Sequence, residues 1–338
     1  MSNVEPTEIR LEASSFCQLR CPSCPTTTRA IHPAVGSGFL KLGDFQKLIN
    51  ENPWLKVIEL SNYGEIFLNP DLLAMMEYAH RRNVVLRAEN GVNLNSVNED
   101  VLEGLVKYKF ASMTCSIDGG SDETYRVYRI KGNFDRVIGN IKKINFYKKK
   151  YQSELPELNW QYVVFGHNEH EISAARKLAG ELNMRFHVKL SWDDDFSPVQ
   201  DQEAVRKETG AASRDEFRQR KGVEYMQGIC HQLWDQPQIN WDGKILGCCR
   251  NFWGDFGGNA FRDGLLKSIN SEKMNYARDM LRGRKVERSD IPCTTCSIYQ
   301  RMKADGKWLK RPTLLTRVRG VIFDLRQRLG SKPKEECS

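Results

Sequence analysis

From residue 8 to residue 190 the chain alternates strand-like and helix-like segments with hardly a break, and this rhythm limits the folds open to it. Apolar or β-branched runs of strand length fall at 8–14, 55–62, 84–88, 111–117, 159–165 and 184–190. Helical periodicity fits 44–51, 70–82, 98–107, 134–150 and 169–183. Asp71 and Asp135 sit in first turns, where negative charge suits the helix dipole. Six β/α units of this kind predict an α/β fold, a parallel sheet with helices outside it, as a partial (β/α)6 barrel. The carboxyl ends of the strands are then where a site is expected.

Directly after the first strand stand Cys17, Cys21 and Cys24, in Cys17-Gln18-Leu19-Arg20-Cys21-Pro22-Ser23-Cys24. A cubane iron–sulfur cluster normally takes four cysteines, so three at a strand end leave one iron open to another ligand. Structural zinc awaiting a fourth ligand is the competing reading, since such sites are closed and tetrahedral. The C-x3-C-x2-C spacing resembles the signature of the radical S-adenosylmethionine (SAM) superfamily. That resemblance implies a 4Fe–4S cluster whose free iron binds SAM, reductive cleavage to a 5'-deoxyadenosyl radical, and hydrogen abstraction from a substrate.

Further segments resemble the family's SAM-binding stretches. Tyr63-Gly64-Glu65 stands at the end of the second strand, where relatives carry Gly-Gly-Glu against the SAM amino group. Asn90 ends the third strand within Glu89-Asn90-Gly91. Ser116 and Asp118, followed by Arg129, resemble the family's Ser-Ile-Asp-Gly and Tyr-x-x-x-Arg stretch, implying contacts to SAM ribose or carboxylate. Alternation along the strand would turn Cys115 away, into the packing. Val163, Phe165 and Asn168 occupy the region that often meets adenine. Ser23 departs from the pattern, because relatives often have an aromatic residue there, so another side chain must cover the adenine ring.

Cys230, Cys248, Cys293 and Cys296 form a second set, with a hairpin turning at Asp242-Gly243 between the first two. A zinc ribbon is compatible with this spacing. The order resembles the Twitch or shortened SPASM extension, which implies one auxiliary 4Fe–4S cluster and hence two clusters in all. Cys249 is left beside a ligand as a further ligand, a packed thiol or a hydrogen donor to a substrate radical. The expected organisation is a core at 1–190, a connector at 191–229 with one helix, an auxiliary-cluster domain at 230–300, and a basic amphipathic helix and tail at 301–338.

Ten cysteines would suit a secreted disulfide framework only in a shorter chain, and the start, Met1 to Thr7, has no signal-peptide character. Metal ligands in a reducing cytoplasm are expected. No apolar run approaches the ~18 residues of a membrane span. Of the net charge of +8, residues 301–338 carry +7. Leu314, Val318, Val321, Ile322, Leu325 and Leu329 recur there at helical spacing among arginines, so peripheral contact with anionic lipid through 313–329 is one expectation, self-packing the other. Nothing resembles an RNA-binding motif.

The ligand order most resembles 2-deoxy-scyllo-inosamine dehydrogenase-type enzymes. Only sixteen residues precede Cys17, whereas peptide-modifying relatives usually carry a leader-binding domain there. The expectation is a radical SAM oxidoreductase, a dehydrogenase or epimerase, acting on a small sugar- or cyclitol-like substrate with flavodoxin or ferredoxin as electron donor. A sulfatase-maturing type of peptide or protein modifier is the alternative. His167, His170, His187 and His231 are the candidate acid–base groups.

Overall fold

A computed structural model describes residues 3–310. The basic tail 311–338, with the expected helix at 313–329, lies outside the described residues, as does Cys337. Six parallel strands are laid down in chain order: β1 (Glu8–Leu11), β2 (Val57–Glu59), β3 (Val85–Val92), β4 (Ser112–Ser116), β5 (Glu157–Val164) and β6 (Arg185–Leu190). Helices α1 (Leu42–Glu51), α2 (Leu72–Arg81), α3 (Glu99–Lys107), α4 (Asp122–Tyr128), α5 (Phe134–Lys150) and α6 (Ile172–Glu181) connect them. The α/β reading with a parallel sheet therefore holds.

Each helix buries one stripe. In α5, Val137, Ile138, Ile141 and Ile144 are buried, and Asn133 caps the start by accepting a 2.7 Å bond from the Arg136 N–H. β4 is buried along its whole length, as expected of a strand with packing on both faces. Cys115 is fully buried in this core, which agrees with its expected packing role.

Two features depart from the sequence expectation. Helix α4 was not anticipated as an element; Ser121 caps it, and it carries Tyr125 and Tyr128 into the core. The connector holds two helices where one was expected, α7 (Gln202–Thr209) and α8 (Arg214–Lys221). Gly210, at φ +81°, ends the first, and the Ser213 hydroxyl caps the second with a 3.1 Å bond from Glu216 N–H.

Beyond the connector come α9 (Gln232–Asp235), the strands β7 (Gln238–Ile239) and β8 (Ile245–Gly247), α10 (Leu265–Ile269), α11 (Glu272–Leu281) and α12 (Ser297–Ala304). The hairpin β7–β8 turns at Gly243, φ +88°, as predicted. It is not detached: β7 pairs in parallel with β1, so the full order is β6-β5-β4-β3-β2-β1-β7-β8. Arg10 fastens this junction from inside, donating to Gln238 Oε1 and to the Ser61 carbonyl at 3.2 Å each. No helix among the described residues is long and apolar enough to cross a membrane.

Candidate functional site

The loop after β1 is folded back over the strand ends by its own backbone. Ser14 Oγ accepts from Phe16 N–H at 3.1 Å, and Glu65 N–H donates to the Phe16 carbonyl at 2.7 Å. Gly64 lies so close beneath that a Cβ there would stand 2.0 Å from the Ser14 carbonyl oxygen. Only glycine fits. Glu12, at the end of β1, completes the contact by accepting from the N–H groups of Tyr63 (3.1 Å) and Gly64 (3.2 Å). Burial pushes the Glu12 carboxyl up to about 8, although both N–H groups oppose the shift.

Cys17, Cys21 and Cys24 line one cleft of about 260 Å³, together with Tyr63, Gly64, Glu65, Asn90, Ser116 and Arg129. The sequence-derived set thus converges, with one exception. Asp118 does not line the cleft; it is fully buried one layer behind, 2.6 Å from Arg129 Nη2, while its other oxygen accepts from Val163 N–H at 2.8 Å. Burial would lower the Arg129 pKa, but Asp118 and then Cys21 raise it, so the guanidinium is a fixed charge. Its Nη1 reaches Cys21 Sγ at 3.6 Å, and Asn93 Nδ2 reaches Cys17 Sγ at 3.7 Å.

Burial, followed by the charge of Glu65, pushes the Cys17 thiol up to about 12; burial likewise raises Cys21 against the pull of Arg129. Such thiols need a cation to become thiolates, which is what metal ligation provides. Glu65 is itself pushed to about 7 by burial while accepting from Asn93 N–H (2.6 Å) and Phe67 N–H (3.3 Å). Asn90 Nδ2 donates to Asn62 Oδ1 at 2.8 Å.

Of the residues expected near adenine, Val163 lines the cleft, Phe165 packs on Tyr128 behind it, and Asn168 is buried, its amide donating to the Asp118 and Val163 carbonyls. Asn168 is therefore a strut. None of His167, His170, His187 or His231 is among the cleft's lining residues.

The sequence reading missed Gln161, Lys189, Trp192, Arg214 and Arg250, all of which line the cleft. Trp192 follows β6 and donates its indole N–H to the Ser23 carbonyl at 3.4 Å, while Ser23 Oγ bonds Asp193. The place of Lys189 next to the carboxyl end of β6 was the available signal for it, because strand ends hold sites.

Cys230, Cys248, Cys293 and Cys296 line a second, apolar cavity with Trp253 and Phe256 among its walls. Burial first, and then the neighbouring thiols, push the pKa values of Cys230, Cys248 and Cys293 up, Cys230 to about 12. The adjacent pair divides: Cys248 faces this cavity, whereas Cys249 lines the first cleft. Among the described residues no three His, Cys, Asp or Glu side chains converge closely enough for a single metal ion.

Residues 11–177, from β1 into α6, match the family model described as the radical SAM superfamily. Three solved structures share the fold. Streptococcus suis SuiB bound to S-adenosylmethionine is 16% identical over 87% of this chain and 71% of its own, with a TM-score of 0.60. Native anSMEcpe with bound AdoMet is 15% identical over 86% of each chain, with a TM-score of 0.56. BtrN in complex with AdoMet and 2-DOIA is 14% identical over 88% of this chain and 94% of its own, with a TM-score of 0.50. No curated protein matches the sequence.

Proposed function

We propose, from the radical SAM superfamily assignment that the family match and the fold support, that this chain cleaves SAM reductively and oxidises or epimerises a small polar, sugar- or cyclitol-like molecule. The observation that carries this reading is the convergence of Cys17, Cys21 and Cys24 with the carboxyl ends of four parallel strands on one cleft. Cys17, Cys21 and Cys24 would hold a 4Fe–4S cluster that, reduced by an external donor such as flavodoxin or ferredoxin, would supply the electron for SAM cleavage.

The protein's own groups bind and orient. Tyr63-Gly64-Glu65 presents backbone and carboxylate toward the SAM amino group, and Glu12 fixes that turn from below. Arg129, aimed by Asp118, offers a guanidinium fork to a carboxylate. Ser116 lines the same cleft and would serve the ribose of SAM, and Gly91 must stay small because a Cβ there would lie 2.6 Å from Ser116 Oγ. Cys249 lines the same cleft and would be the thiol to return a hydrogen atom, which would make the outcome epimerisation. Without such a return the substrate radical would give up an electron to the auxiliary cluster held by Cys230, Cys248, Cys293 and Cys296, and a proton to solvent, and the outcome would be dehydrogenation.

The second cysteine set suits an auxiliary 4Fe–4S cluster of the Twitch or SPASM kind. What supports this reading is that all four cysteines line one apolar cavity. Anaerobic reconstitution followed by iron analysis tests both halves: about eight irons per chain is expected for two cubanes, with 5'-deoxyadenosine formed under reductant. Cys17→Ala should abolish that product. Retained cleavage in this variant contradicts the proposal.

A further inference from the structure

The cleft holds more positive charge than its own acids neutralise. Lys189, at the carboxyl end of β6, has a neutral hydrogen-bond partner, Gln161 Oε1 at 3.3 Å, and no ion pair among the described residues. Arg214, the first residue of α8, donates Nε and Nη2 to a single carbonyl, that of Leu190, at 3.2 and 3.0 Å, and lies over the rings of Tyr225 (4.7 Å) and Trp192 (6.0 Å). Asp194 acts on Arg214 at longer range without pairing with it. Arg250 bonds Ser297 Oγ at 3.1 Å through Nη2, while its Nε is buried with no hydrogen-bond partner among the described residues.

These three groups also repel one another. Burial and then Arg214 depress the Lys189 pKa, and Arg250 contributes to depressing that of Arg214. The acids nearby are already engaged: Asp118 by Arg129, and Glu65 by two backbone N–H groups that hold it against β3 and the turn after β2. Desolvated cations without counter-charge are costly, and a bound anion removes that cost.

We infer that the substrate carries an oxyanion, a phosphate or carboxylate, that Lys189 and Arg214 bind inside the SAM cleft, with Arg250 alongside. This rests on the radical SAM reading, since the same cleft is used. On that reading Arg129, whose Nη1 reaches Cys21 Sγ at 3.6 Å, takes the carboxylate of SAM. The anion met by Lys189 and Arg214 therefore belongs to a second molecule. An anionic handle at one end of the cleft would hold the rest of a sugar-like substrate at fixed distance from the reacting carbon.

The test is calorimetric titration of anaerobically reconstituted, SAM-loaded protein with pyrophosphate, and separately with malonate as the carboxylate probe. Wild type should take up at least one of them at one site per chain, more weakly as salt rises. Lys189→Met and Arg214→Gln should each weaken that binding at least tenfold, Lys189→Arg should restore most of it, and SAM affinity should stay within twofold of wild type. Uptake of neither anion overturns the inference and leaves the radical SAM reading standing. So does binding that persists in the variants, which locates the anion elsewhere, the basic stretch 311–338 included. A parallel loss of SAM affinity in the variants assigns the two cations to SAM and also overturns it. Failure of wild type to bind SAM brings down both readings.

Discussion

The Tyr63 hydroxyl donates a 2.8 Å hydrogen bond to the backbone carbonyl of Cys249. Tyr63 stands where the family resemblance leads one to expect glycine, and its ring also meets Phe252 edge-on at 6.1 Å. The departure therefore acts as a strut between the turn after β2 and the cysteine-rich segment. Tyr63→Phe should cost about 1 kcal/mol of stability, the usual net worth of such a bond, with iron content unchanged. Tyr63→Ala should cost more by losing the ring contact. Chemical denaturation checks both, and a Phe variant as stable as wild type would contradict the strut.

Gly64 has no room for a methyl group, since its neighbour is the Ser14 carbonyl and not a movable side chain. Gly64→Ala should displace the loop that leads into Cys17 and lower reconstituted iron as well as SAM cleavage. An alanine variant with full iron content and wild-type cleavage would show that the close approach is dispensable.

Asp118 and Arg129 form a buried pair, and removing one charge strands the other. Asp118→Asn should destabilise the fold by about 3 kcal/mol and weaken SAM binding, although Asp118 itself does not line the cleft. Equilibrium unfolding and SAM titration on the same sample read the two effects. Loss of stability with unchanged SAM affinity would mean that Arg129 does not serve SAM.

Trp192 answers the question left by Ser23. It is 46% exposed, lines the cleft and is tied by its indole N–H to the Ser23 carbonyl, so it offers the aromatic face that Ser23 lacks. Stacking of a base on an aromatic side chain is worth roughly 1–3 kcal/mol, so Trp192→Ala should raise the SAM Kd about tenfold and Trp192→Phe much less. Equal affinity of the alanine variant and wild type would return the adenine to another wall.

Glu12 gives a pH signature. Its carboxyl is held at about 8 in the fold, above its ordinary value, so its contribution is fully present at low pH and is lost as pH rises through 8. Glu12→Gln keeps an acceptor for the Tyr63 and Gly64 N–H groups but cannot ionise. The variant should gain stability relative to wild type as pH rises from about 5 to 8 and keep that gain without further change above 8, as read by denaturation midpoints across pH 5 to 9. A difference independent of pH would contradict the assignment.

Much of the core was legible because its signals are local. The predicted helix at 134–150 is α5 residue for residue, since its apolar spacing and the Asn133 cap act within one element. β2 is shorter than its apolar run suggested: Leu60 still bonds Arg87 and Ala13 through its backbone, and by Ser61 the N–H and hydroxyl are turned to Glu59 Oε1 instead. The cationic corner was not legible: Lys189, Arg214 and Arg250 come from three separate segments, and their meeting is a product of tertiary packing. Within the charged run that read as one helix, Gly210 and Ser213 were the local signals of two.

The most direct test of the account is electron–nuclear double resonance on the reduced, reconstituted protein with SAM labelled by 15N at its amino group. Strong 15N coupling to the cluster is expected in wild type, because Cys17, Cys21 and Cys24 would leave one iron for that group. A fully formed cluster with no such coupling, its fourth corner closed by a side chain, would contradict it.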